Sequence, residues 1–259
     1  MQKIHPTAII SPEARLGEDI EIGPYAVIEG KVSLGDGCYV GPHAVVKGPT
    51  NIGNNCRIYQ FASVGEIPQD LKFKGEETTL VIGDGNVIRE YVTINRGTAG
   101  GGGQTKIGDG NFIMSYVHIA HDCILGDYNI LANVATLAGH VTIENFSIIG
   151  ALSAVHQFAR IGSYSFISGM TGVSLDVPPY VKAAGSRSKL YGLNTIGLRR
   201  HDFPEETISA LKKAYRLIFR SKLKMAEGIN QIENDPIGKI EAVQKFVDFL
   251  KTTKRGICR

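Results

Sequence analysis

The sequence predicts an all-β solenoid, a parallel β-helix of hexapeptide repeats, followed by a smaller C-terminal α-helical domain. The main observation is a branched aliphatic residue at every sixth position between residues 4 and 173. A second is the small residue that usually stands two positions before it, and a third is a change after Pro204 to apolar residues at helical spacing. The aliphatic positions form three runs: Ile4, Ile10, Leu16, Ile22, Ile28, Leu34, Val40, Val46, Ile52, Ile58 and Val64; Ile82, Ile88 and Ile94; and Ile107, Ile113, Ile119, Leu125, Leu131, Leu137, Ile143, Ile149, Val155, Ile161, Ile167 and Val173.

A period of six fits a triangular coil of three short strands and three tight corners, which neither an α-helix nor an ordinary sheet can match. The aliphatic residue points inward and fills the prism, and the small residue fits near the corner. Three hexapeptides make one coil, so residues about eighteen apart stack on neighbouring coils at roughly 4.8 Å, the usual strand spacing. Because each coil touches only its neighbours, the ends of the solenoid need caps.

Two interruptions of the repeat predict external loops at residues 65–81 and 95–106, because extra residues cannot fit inside a coil. The second interruption contains a glycine run at 100–103. That run invites comparison with a phosphate-binding loop, but it lacks the Lys-Ser/Thr ending and the strand-to-helix setting. A flexible external loop is favoured, and loops on a rigid scaffold often carry binding residues.

Two prolines within residues 176–180 predict the end of the repeat, which divides the chain into a solenoid at 1–180 and a helical domain at 181–259. One helix is predicted from Pro204, with Glu205 and Glu206 in its first turn. Another is predicted around residues 240–250. Basic side chains crowd the first of these helices, and they form either a solvated face or a docking surface for an acidic partner. They are Lys212, Lys213, Arg216, Arg220, Lys222 and Lys224.

Composition narrows the choice of compartment and partners. The 259 residues carry a formal net charge of +3, which is too small to indicate nucleic-acid binding by charge alone. No run approaches the roughly eighteen apolar residues of a transmembrane helix, so no stable membrane insertion is expected. The repeat begins at Ile4 and leaves no room for a signal peptide, which predicts a cytoplasmic location. Cys38, Cys56 and Cys123 occupy the small inward position and are expected to be buried thiols.

Three histidines from successive coils are predicted to line one edge of the prism. His121, His140 and His156 lie within one residue of the same place in the coil, and Gly139 falls one coil above His121. None occupies an inward position, so core packing does not account for them. One chemistry that fits is general base catalysis by an imidazole of pKa about 6.5, with Asp122 orienting the ring and the Gly139 N–H stabilising an oxyanion. The other is zinc, because three histidines and a water form a known catalytic shell.

With these residues in place, the chain resembles the UDP-N-acetylglucosamine O-acyltransferases, which perform the first step of lipid A biosynthesis. The resemblance covers essentially the whole chain and places the solenoid among the left-handed β-helices, an exception to the right-handed crossover rule. Single hexapeptides are weak evidence, whereas several longer segments in this order are specific. They are His5-Pro-Thr-Ala, Ile58-Tyr-Gln-Phe-Ala-Ser, Pro68-Gln-Asp-Leu-Lys72, Ile119-Ala-His-Asp-Cys123, Leu137-Ala-Gly-His140, Ala154-Val-His-Gln-Phe158 and Asp176-Val-Pro-Pro-Tyr180.

The resemblance implies an enzyme that moves a (3R)-hydroxyacyl group from acyl carrier protein to the glucosamine 3-position of UDP-N-acetylglucosamine, with no metal or cofactor. It implies His121 as the general base, Asp122 as its support and the Gly139 N–H as the oxyanion donor. It also implies a homotrimer with active sites between neighbouring prisms, and Gly169 as a ruler that admits a long acyl chain. The other implied substrate contacts are Asp70, Lys72, His118, His140, His156, Gln157, Asn194, Arg199 and Arg200.

Two positions depart from the family pattern. Asn95 stands where a histidine is common, and Ile196 stands where an acidic residue is often found near the nucleotide. Three rival functions also remain open. The N-acyltransferase of the same pathway shares the prism but carries an added N-terminal uridine-binding domain, which is not expected here. A γ-class carbonic anhydrase would contain stoichiometric zinc. A non-catalytic β-helix scaffold would have no prism edge that carries a cluster of functional side chains.

Overall fold

The computed structural model describes residues 2–259 as a parallel β-solenoid that ends in a short helical segment. Its strands form three sheets, one for each side of a triangular prism, and successive strands along the chain belong to successive sheets. The predicted parallel β-helix of hexapeptide repeats with a C-terminal helical region is therefore confirmed.

The strands of each sheet follow one another coil by coil. The first sheet contains β1 Lys3–Ile4, β4 Glu21–Ile22, β7 Tyr39–Val40, β10 Arg57–Ile58, β13 Val87–Ile88, β16 Phe112–Ile113, β19 Ile130–Leu131, β22 Ile148–Ile149, β25 Phe166–Ile167, β27 Val181–Ala184 and β28 Lys189–Leu193. The second contains β2 Ile9–Ile10, β5 Val27–Glu29, β8 Val45–Lys47, β11 Ser63–Glu66, β14 Thr93–Asn95, β17 His118–Ile119, β20 Thr136–Leu137, β23 Ala154–Val155 and β26 Gly172–Val173. The third contains β3 Arg15–Leu16, β6 Val32–Leu34, β9 Thr50–Ile52, β12 Thr79–Ile82, β15 Gln104–Ile107, β18 Ile124–Leu125, β21 Thr142–Ile143 and β24 Arg160–Ile161.

The aliphatic residues of the repeat stack on one another in register and form the core. In the second sheet, Ile119 pairs with Leu137 and Leu137 pairs with Val155, and all three side chains are buried. Side chains alternate along a strand, so the preceding residues, His118 and Thr136 among them, face outward. The spacing of the inward-facing aliphatic residues therefore determines which side chains face outward and are available to a ligand.

The three edges of the prism carry different corner residues. The ladder edge, between the first and second sheets, carries the stacked rings of Tyr25, His43, Phe61, Tyr91 and Tyr116. The third edge, between the third and first sheets, carries the stacked rings of Tyr128, Phe146 and Tyr164. The histidine edge, between the second and third sheets, carries Asp122, His140 and Phe158 at left-handed corners, with φ of 60°, 61° and 65°.

Both external loops leave the prism at the histidine edge. The first, residues 67–78, connects β11 to β12, and the second, residues 96–103, connects β14 to β15 and contains the 3₁₀ turn Ala99–Gly101. Each loop replaces a corner in the coils that precede His121, so both loops lie on the same edge as the histidines. Asn95 ties them together, because its Nδ2 donates to the Ile67 carbonyl oxygen at 2.7 Å.

Parallel strand pairing with the solenoid extends beyond the two prolines of residues 176–180. Val177 still bridges to Ile161 in parallel fashion, and β27 pairs in parallel with β25 before β28 turns back antiparallel. Backbone pairing therefore outlasts the apolar pattern from which the end was predicted. The helices that follow are α1 Thr195–Arg200, α2 Glu205–Phe219, α3 Met225–Asn234 and α4 Glu241–Lys251, with a 3₁₀ turn at Pro236–Lys239.

Two of these helices match the sequence prediction. Helix α2 begins directly after Pro204 with Glu205 and Glu206 in its first turn, and α4 covers the predicted run around 240–250. The cysteines are free and buried, as predicted for Cys38, Cys56 and Cys123. Burial raises the pKa of the Cys123 thiol to about 12, which leaves it inert. No helix within residues 2–259 has the length and apolarity needed to cross a bilayer.

Candidate active site

A histidine–carboxylate pair lies at the histidine edge. Nδ1 of His121 is 2.7 Å from Oδ2 of Asp122, and the Asp122 side chain is only 1% exposed while that of His121 is 15% exposed. The two residues are neighbours in sequence, and the left-handed backbone at Asp122 turns its carboxylate back towards the ring. Aspartate is among the few residues that adopt this conformation readily.

The Asp122 carboxylate is held by several donors. Oδ1 accepts the Thr98 N–H at 2.8 Å, and Oδ2 accepts the Thr98 hydroxyl at 2.6 Å. The Asp122 N–H donates in turn to Oγ1 of Thr105 at 2.8 Å. An ionised carboxylate can only accept, so Nδ1 of His121 must donate to it. That arrangement assigns the proton to Nδ1 and leaves Nε2 of the neutral ring as an acceptor.

His140 completes a compact cluster one coil above. Its ring meets the His121 ring edge to face with centroids 5.2 Å apart, and it stacks on Phe158 at 4.4 Å. Burial lowers the pKa of His140, and a positive charge on His121 would act in the same direction, while the carboxylates of Asp122 and Asp70 oppose the shift. His140 therefore stays neutral at pH 7 and is able to accept or donate a hydrogen bond without adding positive charge.

Gly139 lies against the face of His121. A Cβ at Gly139 would fall 2.6 Å from Cε1 and 2.9 Å from Nε2 of His121, so only glycine leaves room for this ring. No acceptor among residues 2–259 takes the Gly139 N–H, and the same holds for the N–H groups of His121 and Gln157 at the equivalent corners of the neighbouring coils. The Gly139 N–H is therefore available to a ligand. The predicted approach of Gly139 to His121 is thus observed.

His118 lies on the outward face of β17, the strand that leads directly into the corner with His121 and Asp122. Its Nδ1 is 2.8 Å from Oγ1 of Thr93 on the preceding coil. Burial lowers the pKa of His118, and a positive charge on His121 would lower it further. The ring is therefore neutral at pH 7 and fixed by the Thr93 hydroxyl.

Other predicted contacts surround this cluster at a greater distance. His156 and Gln157 are exposed on the next coil, where Nδ1 of His156 lies 3.1 Å from the Gln157 carbonyl oxygen. Asp70 and Lys72 lie on the first external loop, which leaves from the same edge, and the Asp70 carboxylate accepts the Lys72 N–H at 2.9 Å.

The remaining predicted residues belong to other edges. Asn194 caps α1 and donates to the Tyr164 carbonyl oxygen at 3.0 Å, which places that helix against the third edge. Arg199 of α1 pairs at 2.6 Å with Glu205, the first residue of α2, and the adjacent Arg200 is exposed. Ile196, which departs from the family pattern, is 64% exposed there. Within one chain, α1 and the His121 pair occupy different edges of the prism.

Gly169 is exposed at the ladder edge, next to Met170, which is 75% exposed. A Cβ at Gly169 would lie 3.2 Å from the Ala151 carbonyl oxygen, and the surroundings beyond that atom are open. A side chain added at Gly169 would therefore project from the prism and would not enter its core.

Sequence reasoning missed Thr98 and Thr105, the two residues that hold Asp122. Thr98 lies in the second external loop, where inserted residues have no place in the hexapeptide count. Thr105 stands at the buried position two before Ile107, so its small size was visible but its hydrogen bond to the Asp122 N–H was not.

The cluster also resembles a metal site in one respect. Ligand atoms of His121, Asp122 and His140 lie within 4.8 Å of one another. The set is two histidines and a carboxylate, and His156 does not join it. Both carboxylate oxygens of Asp122 are already occupied by Thr98 and His121.

Two protein families match parts of the chain. The family described as bacterial transferase hexapeptide (six repeats) matches residues 13–48, 31–66 and 104–139. The solenoid and its histidine edge therefore define a hexapeptide-repeat transferase. A second family, described as UDP N-acetylglucosamine O-acyltransferase, domain 2, matches residues 176–258.

Full-length relatives narrow this class. The acyl-(acyl-carrier-protein)–UDP-N-acetylglucosamine O-acyltransferase of Anaeromyxobacter dehalogenans is 52% identical and covers 99% of both chains. Its namesake from Myxococcus xanthus is 49% identical over 100% of both chains. The structure of LpxA from Acinetobacter baumannii matches with a TM-score of 0.96 and 47% identity, covering 99% of each chain. The chain belongs to the UDP-N-acetylglucosamine O-acyltransferase family.

Proposed function

We propose that the protein transfers a (3R)-hydroxyacyl chain from acyl carrier protein to the glucosamine 3-position of UDP-N-acetylglucosamine, the first step of lipid A biosynthesis. The observation that carries this proposal is the fixed orientation of His121. Asp122 holds its Nδ1, and its Nε2 lies close to Gly139, whose N–H has no acceptor among residues 2–259. A base and an oxyanion donor are thus adjacent, as acyl transfer requires.

In the proposed reaction, Nε2 of His121 takes the proton from the 3-hydroxyl of the sugar as the oxygen attacks the thioester carbonyl carbon. The tetrahedral intermediate places its negative oxygen at the Gly139 N–H. Collapse breaks the carbon–sulfur bond, and the leaving thiolate of the carrier takes the proton back from His121. The Asp122 carboxylate stabilises the imidazolium that forms in between, as a triad carboxylate does.

The flanking residues supply substrate contacts in this proposal. His118 and His140 are neutral donors or acceptors for sugar hydroxyls, and the exposed His156 and Gln157 extend the site along the histidine edge. Asp70 and Lys72 approach from the first external loop. Asn194, Arg199 and Arg200, which lie on another edge, reach the site from a neighbouring copy in a homotrimer. Arginine suits this role because it binds phosphate oxygens bidentately.

Replacement of His121 tests the central role. His121→Ala should lower kcat by roughly 10²- to 10⁴-fold, the range associated with general base catalysis. The fold should persist, because the side chain lies outside the aliphatic core. Exposed His5 provides a matched control, and His5→Ala should keep full activity. A folded His121→Ala protein with near-normal turnover in an acyl-transfer assay would refute the proposal.

A zinc enzyme is the second candidate, favoured by the close approach of His121, Asp122 and His140. Acyl transfer by the proposed route needs Nε2 of His121 free to accept a proton, which a metal-bound nitrogen cannot do. Transfer activity should therefore persist after exhaustive dialysis against EDTA, with no metal found by elemental analysis. Loss of activity on chelation and recovery with zinc would favour the metal instead.

A further inference from the structure

The second external loop makes direct contact with the catalytic pair. It crosses the histidine edge in the coil directly below Asp122 and forms a single 3₁₀ turn, Ala99–Gly101. Both ends are fastened, since the Gly97 N–H donates to the Thr79 carbonyl oxygen at 3.1 Å and the Gly103 N–H donates to the Thr98 carbonyl oxygen at 2.8 Å. This glycine-rich segment is therefore an ordered clamp.

We propose that Thr98 and Gly101 are positioning residues of the acyl-transfer reaction, acting on His121 through Asp122. This inference rests on the proposed function, because it assumes His121 as the base. Both residues contact the Asp122 carboxylate. Their effect is to determine how the Asp122 carboxylate is oriented and hence which nitrogen of His121 is protonated.

The Thr98 side chain links the turn to the carboxylate. Its hydroxyl oxygen accepts the Gly101 N–H at 3.1 Å and donates its own proton to Oδ2 of Asp122 at 2.6 Å. Its backbone N–H holds the other carboxylate oxygen, Oδ1, at 2.8 Å. Rotation of the carboxylate would break both bonds together, and Oδ2 is also the atom that meets His121. The loop thus fixes the plane of the carboxylate that fixes the imidazole.

Gly101 packs directly on the same carboxylate. A Cβ at Gly101 would fall 2.0 Å from Cγ of Asp122, whereas a Cβ at Gly100 would meet no atom within 4 Å. Neither glycine has a left-handed φ, so alanine is compatible with both backbones. The chain therefore offers a matched pair of adjacent substitutions, one that must displace Asp122 and one that touches nothing.

The first experiment compares Gly101→Ala with Gly100→Ala in a steady-state acyl-transfer assay. Displacement of Asp122 should lower kcat in Gly101→Ala by about 10²-fold, the effect of misplacing a catalytic group by about 1 Å, with little change in KM for either substrate. Gly100→Ala should match the wild type. Equal activity of the two variants, both folded by circular dichroism, would overturn the proposal.

The second experiment keeps the backbone intact. Thr98→Val removes the hydroxyl at nearly constant volume and should lower kcat about tenfold, while Thr98→Ser should restore most of it. The hydroxyl acts through the carboxylate, so Thr98→Val should slow an Asp122→Asn enzyme no further. Additive losses in the double variant would mean that Thr98 acts independently of Asp122, and the proposal would fail.

A measurement that does not depend on acyl transfer distinguishes the positioning role of Thr98 and Gly101 from the proposed role of His121 as the general base. The Nδ1–H proton of His121, held by Asp122, should give a low-field NMR signal in the wild type. That signal should shift or broaden in Thr98→Val and Gly101→Ala but not in Gly100→Ala. An unchanged signal in the first two variants contradicts the clamp. An active His121→Ala enzyme would contradict the proposed function even where these shifts occur.

Discussion

Individual residues at the histidine edge stabilise the buried charge of Asp122 and at the same time orient His121. A carboxylate that is 1% exposed loses its hydration, and that loss is tolerable only where donors replace the water. Thr98 supplies two of those donors and His121 supplies the third. The same bonds that stabilise Asp122 also orient the ring, so stability and function depend on the same contacts.

The buried histidine His118 should make the stability of the fold depend on pH. Its pKa is lowered in the folded state, so over the interval below about 6.5 the unfolded chain binds more protons than the folded one. Stability should therefore be full above that value and decline as pH falls towards the folded-state pKa. The urea midpoint, measured from pH 8 to pH 5, should fall on acidification.

Replacement of His118 tests the origin of this decline. Asparagine offers an amide near the place of Nδ1, which keeps a partner for Thr93 while removing the titration. His118→Asn should reduce the loss of stability between pH 7 and pH 5, with the comparison at pH 8 serving as the baseline. A pH profile identical to that of the wild type would assign the decline to other groups.

The proposed role of Gly169 as the acyl-chain ruler can be tested by filling the space beside it. Its missing side chain leaves open surface at the ladder edge, and each buried methylene of a long chain is worth roughly 0.8 kcal/mol. Gly169→Met should fill that space and shift donor preference towards chains several carbons shorter, while the rate with the best short donor stays high. Acyl carrier protein thioesters of graded length would measure this. If the profile stays unchanged, exposed Met170 becomes the residue to replace.

At the level of elements, α2 presents a basic groove on the helical segment. Lys212, Arg216 and Arg220 line a cavity of about 320 Å³ with Tyr191 and Tyr215. Lys213, by contrast, is engaged by Asp235 at 2.5 Å. The positive charge of the groove suits an acidic carrier protein, so charge complementarity favours docking here.

Charge reversal tests this docking surface. Arg216→Glu with Arg220→Glu should raise KM for the carrier thioester several-fold and leave KM for the UDP-sugar unchanged. The effect should shrink with added salt, because exposed charges are screened beyond about 10 Å at 0.1 M. Lys239→Glu, an exposed change outside the groove, is the control. Equal carrier KM values at low salt would place the docking surface elsewhere.

The sequence could predict which residues approach one another only where the hexapeptide repeat is unbroken, because only there can each residue be assigned to a place in the coil. Between Ile107 and Val173 the repeat is unbroken, so the approach of Gly139 to His121 followed from position alone. The Thr98 contact did not, because residues inserted in a loop have no place in the coil count. Likewise α2 was marked by Pro204 and a clear apolar period, whereas α1 has only six residues and too few buried positions to produce a pattern.

At the scale of the whole molecule, the distribution of residues over the edges argues for assembly. The His121 pair lies on the histidine edge, while Arg199 and Arg200 on α1 lie at the third edge, where His201 packs on Phe146 and Tyr164. Within one chain the two groups therefore lie on different edges of the prism. A homotrimer of 28.0 kDa chains, with a mass of about 84 kDa by sedimentation, would place the third edge of one copy against the histidine edge of the next.

Mixing two inactive variants tests this arrangement directly. Chains carrying His121→Ala and chains carrying Arg199→Ala with Arg200→Ala should each be severely impaired alone. When they are unfolded together and refolded at equal amounts, about one site in four should combine an intact histidine edge with an intact α1 and regain activity. Mixing His121→Ala with Asp122→Asn should regain none, because both changes damage the same pair and no interface receives an intact one. Recovery in the first mixture alone would mean that each active site is built from two chains. A first mixture as inactive as the second would mean that Arg199 and Arg200 serve the His121 pair of their own chain or do not serve it at all.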